Sequence, residues 1–313
     1  MNLKEFKKEW TDSVDKMFRN RNLHPDQHNT VILDTFYTTF LNDGLIAHMD
    51  YEDGFEMIDI LCDNENLPEM PKKNLRTTIY NIVPELKNNG TFKTIAERLT
   101  NVKMKGVGVG EILLHLLYKD SNFTTKHDFV VNGLIGEIKK SDGGCLKATK
   151  DTQYRKVDIT IKKYFGNHNF FQLQRSGQKG KEEQDRLFLE NQDWWKEHGS
   201  IEKARGYFQD VYPQLSGDSH NILSELFVEN VDNPRKLNSV IGREIYKLYN
   251  TIDGFDFLSL VNPTKNLDVT YIWDIDDEDF ITENVNFFVS GRRDCDSNAV
   301  GDGYSKITGI NKK

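Results

Sequence analysis

Cysteine is scarce and unpaired in its spacing: Cys62, Cys145 and Cys295 are far apart and odd in number. That excludes a disulfide framework, a zinc knuckle and a redox dithiol, and leaves ordinary thiols. Long apolar runs are missing too. The first ten residues, Met1 to Trp10, carry charges where a signal peptide needs an apolar stretch, and no run approaches the length of a bilayer span. The expected setting is soluble and reducing, without a membrane partner. There is no basic excess: 41 Lys and Arg stand against 49 Asp and Glu, a net charge of −8, so a site for a phosphate polymer has to be a local island. Only 7 prolines interrupt the 313 residues, and 37% hydrophobic content is enough for one large domain or two ordinary ones, which argues against wholesale disorder.

What is present divides the chain into three textures. Residues 1–100 read as a helical region, with Phe6, Trp10, Val14, Met17 and Phe18 at three- and four-residue steps and a second such stripe from Val31 to Leu41. Gly90 and the residues before it close that block as a turn. Residues 101–250 begin with a glycine-rich turn and a short apolar helix from Glu111 to Tyr118. Two runs follow, Asp128 to Val131 and Leu134 to Lys139, around Asn132-Gly133, a strong hairpin signal. Tyr154 to Phe165 and Phe170 to Gln174 read as strands, while Lys181 to Lys196, Ile201 to Phe208 and Ser239 to Tyr249 read as helices. Residues 251–313 are β-rich, with strands expected at Phe255 to Val261, Val269 to Trp273 and Val285 to Val289.

Charge is unevenly spread. Between Lys139 and Arg186 twelve basic side chains face six acidic ones, a local excess of six, whereas Asp274 to Asp279 is an acidic run. Solvated surface is the ordinary reading of both. The basic island, however, adjoins the stretch that carries chemistry.

That stretch is Asp128-Phe-Val-Val-Asn-Gly-Leu-Ile-Gly-Glu137-Ile-Lys139. With a two-residue loop at Asn132-Gly133, Val131 pairs with Leu134 and Asp128 comes opposite Glu137. Opposed residues share a face with Cβ atoms about 4.5 to 5.5 Å apart, and Lys139 joins that face two residues on. The other face offers Phe129, Val131, Leu134 and Ile138 to a core. Two close carboxylates repel unless a cation lies between them, and hard oxygen donors suit Mg²⁺ or Mn²⁺. Such an ion with an adjacent lysine is equipment for phosphodiester hydrolysis. A cross-strand salt bridge among Asp128, Glu137, Lys126 and Lys139 is the structural alternative.

An acidic residue, a hairpin and Glu-x-Lys together resemble the PD-(D/E)XK nuclease superfamily. The resemblance covers roughly residues 106–175 and departs from the family pattern at His127, where a proline usually precedes the acidic residue. It implies an α/β fold: a restriction-endonuclease-like core, a central mixed sheet flanked by helices, here with a helical N-terminal region and a β-rich C-terminal part. It implies a metal-dependent deoxyribonuclease with Mg²⁺ or Mn²⁺ held by Asp128 and Glu137, and Lys139 at the attacking water. Glu111 would join the metal directly or through water, although a Glu in a first helical turn is also favoured by the helix dipole alone. Gln153 or Arg155 would take the family's fourth position. The implied partner is DNA, contacted by Lys140, Lys147, Lys150, Arg155 and Lys156, with Gly143-Gly144 allowing close backbone approach. A symmetric homodimer remains open, and no other cofactor is implied. The same segment also looks like phage-encoded proteins, some of them virion components, so the alternative is an assembly role with other virion proteins as partners. The compartment is accordingly the bacterial or infected-cell cytoplasm, or else the virion.

Other features have structural explanations. Gly106-x-Gly108-x-Gly110 fits neither dinucleotide nor phosphate-loop spacing. His24 and His28 share i, i+4 spacing but lack a third ligand, and His115 sits in an apolar helix. Tyr164, Phe165, Phe170, Phe171, Trp194 and Trp195 could stack on bases, although core packing is the commoner use. Gly291-Arg292-Arg293-Asp294 could meet phosphate or an acidic surface.

Overall fold

The computed structural model describes residues 2–28, 31–101, 109–124, 129–140, 144–146, 154–171, 178–213, 215–262, 268–289 and 305–309. In chain order the elements begin with α1 (Leu3–Asn20), α2 (Pro25–His28), α3 (Val31–Phe40), α4 (Asp43–Ile46) and α5 (Tyr51–Cys62). Then come β1 (Leu75–Thr78), α6 (Ile79–Ile82), a 3-10 turn (Pro84–Asn88), α7 (Gly90–Asn101), α8 (Val109–Leu117), β2 (Ser121–Asn122), β3 (Phe129–Val131) and β4 (Leu134–Lys140). The rest is β5 (Gly144–Leu146), α9 (Tyr154–Phe165), α10 (Gln178–His198), α11 (Ile201–Val211), α12 (Gly217–Asn230), α13 (Pro234–Asp253), β6 (Phe257–Asn262), β7 (Asp268–Ile272), α14 (Glu278–Asn284), β8 (Val285–Val289) and β9 (Ser305–Gly309). Among the described residues no helix is long and apolar enough to cross a membrane.

Two compact units result, Met1–Asp142 with Phe255–Phe280, and Gly143–Gly254 with Ile281–Lys313. The first is α/β, an open mixed sheet in the order β1-β7-β6-β4-β3-β2 flanked by helices. Its one parallel pairing among the described strands joins β4 to β6, from Gly136↔Phe257 to Lys140↔Val261. The boundaries expected at residues 100 and 250 do not coincide with these units. β1 lies inside the N-terminal helical region yet pairs with β7 (Leu75↔Tyr271), so the first hundred residues share a sheet with the segment beyond 250. The β-rich C-terminal segment is itself divided: β6 and β7 join the first sheet, β8 and β9 a second.

Local signals explain the first unit's helices. Asn2 accepts the N–H groups of Lys4 and Glu5, and Glu5 accepts the Asn2 N–H in return, a capping box that starts α1. The stripe read from the sequence, Phe6, Trp10, Val14, Met17 and Phe18, is buried. α8 packs on one face of the sheet: its His115 ring lies 4.7 Å from that of Phe129, and its buried residues share a cluster with Phe129, Val131, Ile138, Phe257, Val261 and Tyr271. Between the two layers, the Tyr118 hydroxyl, just past α8, meets the Tyr271 hydroxyl at 2.6 Å.

Burial pushes both of these phenols well above the usual tyrosine range. The sign follows. The folded chain holds these protons more tightly than the unfolded one, so their contribution is fully present below pH about 10 and is lost as pH rises beyond it. Urea unfolding followed from pH 8 to 11 is expected to show a falling midpoint, and the double variant Tyr118→Phe/Tyr271→Phe is expected to flatten that fall. An equally steep fall in the double variant would contradict this assignment.

The second unit packs α9, α11, α12 and α13 around Ile161, Phe165, Phe170, Phe171, Tyr207, Phe208, Phe227 and Ile241, beside an antiparallel sheet in the order β5-β9-β8. Asn233 caps α13 and Gly254, at φ +67°, ends it. Tyr154 to Phe165, expected as a strand, is the helix α9. Its β-branched residues favour a strand, but Ile161 and Phe165, one helical turn apart, are both buried in this core, and tertiary packing overrides the weak propensity. Of the strand expected at Phe170 to Gln174, Phe170 and Phe171 lie in a turn with both rings buried, while 172–174 fall outside the described residues.

Candidate functional site

The hairpin forms as its sequence dictates. Asn132 and Gly133 have φ of +49° and +77°, the pair of positive values that a type I′ turn requires and that Asn-Gly supplies with least strain. The register is Val131↔Leu134 and Phe129↔Gly136, as expected. Phe129, Val131 and Ile138 are buried on the α8 side, and Leu134 packs against them. Glu137 and Lys139 project from the opposite face, where the Lys139 ammonium contacts Glu137 Oε1. Their side chains are 14% and 19% exposed, so this is a largely desolvated pair. Their register partners on β6 are Leu258 and Leu260, both buried. Glu137 thus lies at the middle of β4, opposite the second residue of β6, and Lys139 lies one residue before the end of β4, opposite the fourth residue of β6.

Two features absent from the sequence reading hold that register. Asp256, just before β6, accepts the Ile135 N–H with Oδ2 at 2.7 Å and donates its own N–H to Ile135 O, also at 2.7 Å. Gly136 lies beside Phe257, and a Cβ there would fall 2.3 Å from the ring's Cζ. That ring is fixed by stacking on Trp273, centroids 4.7 Å apart. Gly136→Ala is therefore expected to cost about 1 to 3 kcal/mol, read from the denaturation midpoint, because the ring must leave its seat. A variant as stable as the parent would show that the ring moves freely. An aspartate next to the first apolar residue of a strand is too common a pattern to flag Asp256 in advance.

The other expected site residues are placed as follows. Glu111 lies in the first turn of α8 and is only 5% exposed, an uncommon environment for a carboxylate. Its helix packs on the face opposite Glu137 and Lys139. The neighbouring Gly110 approaches Val261 so closely that a Cβ would lie 2.8 Å from the valine Cβ, which brings the first turn of α8 to the C-terminal end of β6. The structure therefore brings Glu137 and Lys139 into contact, with the helix of Glu111 on the other side of the sheet. Asp128, Lys147, Lys150 and Gln153 lie outside the described residues, as does Gly291 to Asp294. Lys140 pairs with Val261 in β4, and Arg155 and Lys156 open α9; their side chains are outside the described set.

Among the described residues no three His, Cys, Asp or Glu side chains form a metal-binding group. His24 and His28 do not share a ligand position: His24 Nε2 lies 2.8 Å from Asp15 Oδ1, and His28 Nε2 lies 2.8 Å from Asn22 O. His115 is buried between Phe123 and Phe129. Phe165, Phe170 and Phe171 belong to the second core, with Tyr164, Trp194 and Trp195 packed against it, which accounts for these aromatics without bases to stack on. No protein-family model, curated protein or solved structure matches the chain.

Proposed function

We propose that this chain is a metal-dependent deoxyribonuclease with a restriction-endonuclease-like core, its chemistry centred on Glu137 and Lys139. The observation that carries the reading is the contact between these two side chains, largely desolvated, on one face of β4 beside the parallel strand β6. Asp128, one residue before β3, is taken as the second carboxylate; Glu111, whose helix packs on the other face of the sheet, is left out of the metal's donor set.

The donor set suits a hard divalent ion in its chemistry. Glu137 has two carboxylate oxygens, and the Lys139 ammonium engages Oε1. Carboxylate oxygens are the donors that Mg²⁺ and Mn²⁺ accept, together with waters and a phosphate oxygen. Such an ion, when bound, supplies Lewis acidity and a more acidic water. The chain's own part is to orient and to neutralise. Glu137, held on a strand of fixed register, aligns its carboxylate, while Lys139 holds a water for in-line attack and offsets charge developing on the phosphate.

Binding is testable without turnover. Thermal unfolding of the parent in Mn²⁺ or Mg²⁺ is expected to shift upward with metal concentration, and Glu137→Ala is expected to abolish the shift. The same shift in both proteins would place any metal elsewhere and remove the basis of the proposal.

A further inference from the structure

Asn-Gly occurs twice in the chain, at 89–90 and 132–133, and the fold treats the two copies oppositely. Glycine has no Cβ to shield its nitrogen from the carboxamide that precedes it, so this dipeptide is the least hindered setting for ring closure between the two. Asn89 is 2% exposed and pinned: its Nδ2 donates to Asp53 O at 2.7 Å, its Oδ1 accepts the Phe92 N–H at 2.8 Å, and Asp53 Oδ2 holds the Gly90 N–H at 3.0 Å. Asn132 and Gly133 are both exposed at the tip of the hairpin. Among the described residues neither the Asn132 carboxamide nor the Gly133 N–H makes a hydrogen bond, and nothing lies within 4 Å of where a Gly133 Cβ would sit.

We propose that Asn132 is a self-modification site, converted in the folded chain to aspartate and isoaspartate, and that Asn89 is protected from the same reaction. The Gly133 nitrogen bonds to Asn132 Cγ, the Cγ–Nδ2 bond breaks, and the proton that the nitrogen loses leaves with the amide as ammonia. Water then opens the cyclic imide at either carbonyl, and no oxidant or reductant takes part. The turn has to open briefly to bring nitrogen and Cγ together. Beyond the strand ladder its one tie is the Asn132 N–H to Asp120 O at 3.2 Å, so this opening is local. At Asn89 three shorter bonds at the start of α7 have to break first.

Isoaspartate alters the hairpin because the main chain then runs through Cβ and gains a carbon in a two-residue loop, the length that sets the Val131↔Leu134 pairing. β4 is held on its other edge by β6, from Gly136↔Phe257 to Lys140↔Val261. Among the described strands β3 has only β4 and the short β2 beside it, so the misfit falls on β3. Asp128 immediately precedes β3. On the proposed function, which this one consequence rests on, conversion at Asn132 therefore weakens metal binding.

The test is incubation of the folded parent, the urea-unfolded parent and folded Asn132→Gly in warm, mildly alkaline buffer, followed over time by peptide mapping with mass spectrometry. Asn132→Gly leaves a Gly-Gly pair that a type I′ turn accepts and that has no carboxamide to react. In the folded parent Asn132 is expected to convert at least about tenfold faster than Asn89, with isoaspartate among its products, and the two rates are expected to converge in urea. The unfolding midpoint of the parent is expected to fall as isoaspartate accumulates, while that of Asn132→Gly holds. Conversion at Asn132 no faster than at Asn89, no conversion there while the unfolded chain reacts, or an aged parent as stable as aged Asn132→Gly would overturn the proposal. Should Asn132→Gly not fold, the comparison of the two sites within one chain decides alone. Thermal unfolding of fresh and aged parent in Mn²⁺ separates this proposal from the proposed function. A metal-dependent shift that shrinks with isoaspartate content supports the link to the hairpin site, and an undiminished shift overturns that link. A fresh parent with no shift removes the proposed function and leaves the chemistry at Asn132 standing.

Discussion

Arg21→Met is expected to destabilise the chain by about 3 kcal/mol, one of the two largest effects anticipated, because a buried guanidinium, with the Ser121 hydroxyl that also donates to His115 O at 2.7 Å, completes the end of α8. Arg21 is 3% exposed. It donates to His115 O at 2.7 Å, to Tyr118 O, to Ser121 Oγ at 3.3 Å and to Asn64 Oδ1. The carbonyls of His115 and Tyr118 belong to the helix C-terminus, where no intrahelical donor remains for them. Methionine fills most of the volume but donates nothing, and each buried acceptor left without its charged partner costs about 1 to 3 kcal/mol. Burial lowers the Arg21 pKa to about 10, so the group is still charged at neutral pH. Urea unfolding at pH 7 measures the loss. A change under about 0.5 kcal/mol, the level of an ordinary surface substitution, would mean that other groups complete α8.

The second large effect concerns Lys139. Lys139→Ala is expected to reduce phosphodiester cleavage by a factor of about 10² to 10⁴, the usual loss when a preorganised electrostatic or proton-handling group is removed. Lys139→Arg tests the geometry, because it keeps the charge while replacing a compact ammonium by a broad planar fork. Partial activity in Lys139→Arg with none in Lys139→Ala would identify the charge as essential and its exact placement as secondary. Removing the ammonium also leaves a Glu137 side chain that is 14% exposed without this cation, so a modest stability loss is expected in parallel. Unfolding has to be measured on the same preparations, so that activity is compared only between folded proteins.

How much of this was readable beforehand depended on the range of each signal. The hairpin was legible because two residues, Asn132 and Gly133, set its turn type and thereby its register. From that register followed the shared face of Glu137 and Lys139 and the inward side of Phe129, Val131 and Ile138. The α1 stripe and the buried run of β6 from Phe257 to Val261 were legible from periodicity and from an apolar run. β1 was not: Leu75 to Thr78 is half-buried throughout and pairs with β7 nearly two hundred residues later, so nothing local marks it as a strand. The parallel pairing of β4 with β6, which sets Glu137 and Lys139 beside the buried Leu258 and Leu260, is equally non-local. The helix α9 was misread because Val157, Ile159, Thr160 and Ile161 carry β propensity while its burial is decided by distant partners. Arg21 gave no sequence signal, since an isolated arginine acquires meaning only when the fold brings Asn64, His115, Tyr118 and Ser121 around it.

The measurement that tests the central claim most directly is cleavage of plasmid and linear DNA in Mg²⁺ or Mn²⁺ by the parent, with folded Glu137→Ala and Lys139→Ala alongside. The account predicts cutting by the parent, loss of cutting on chelation of the metal, and none above background in either variant. Intact DNA with the parent on single- and double-stranded, modified and unmodified substrates, or cutting that survives both substitutions, would contradict it.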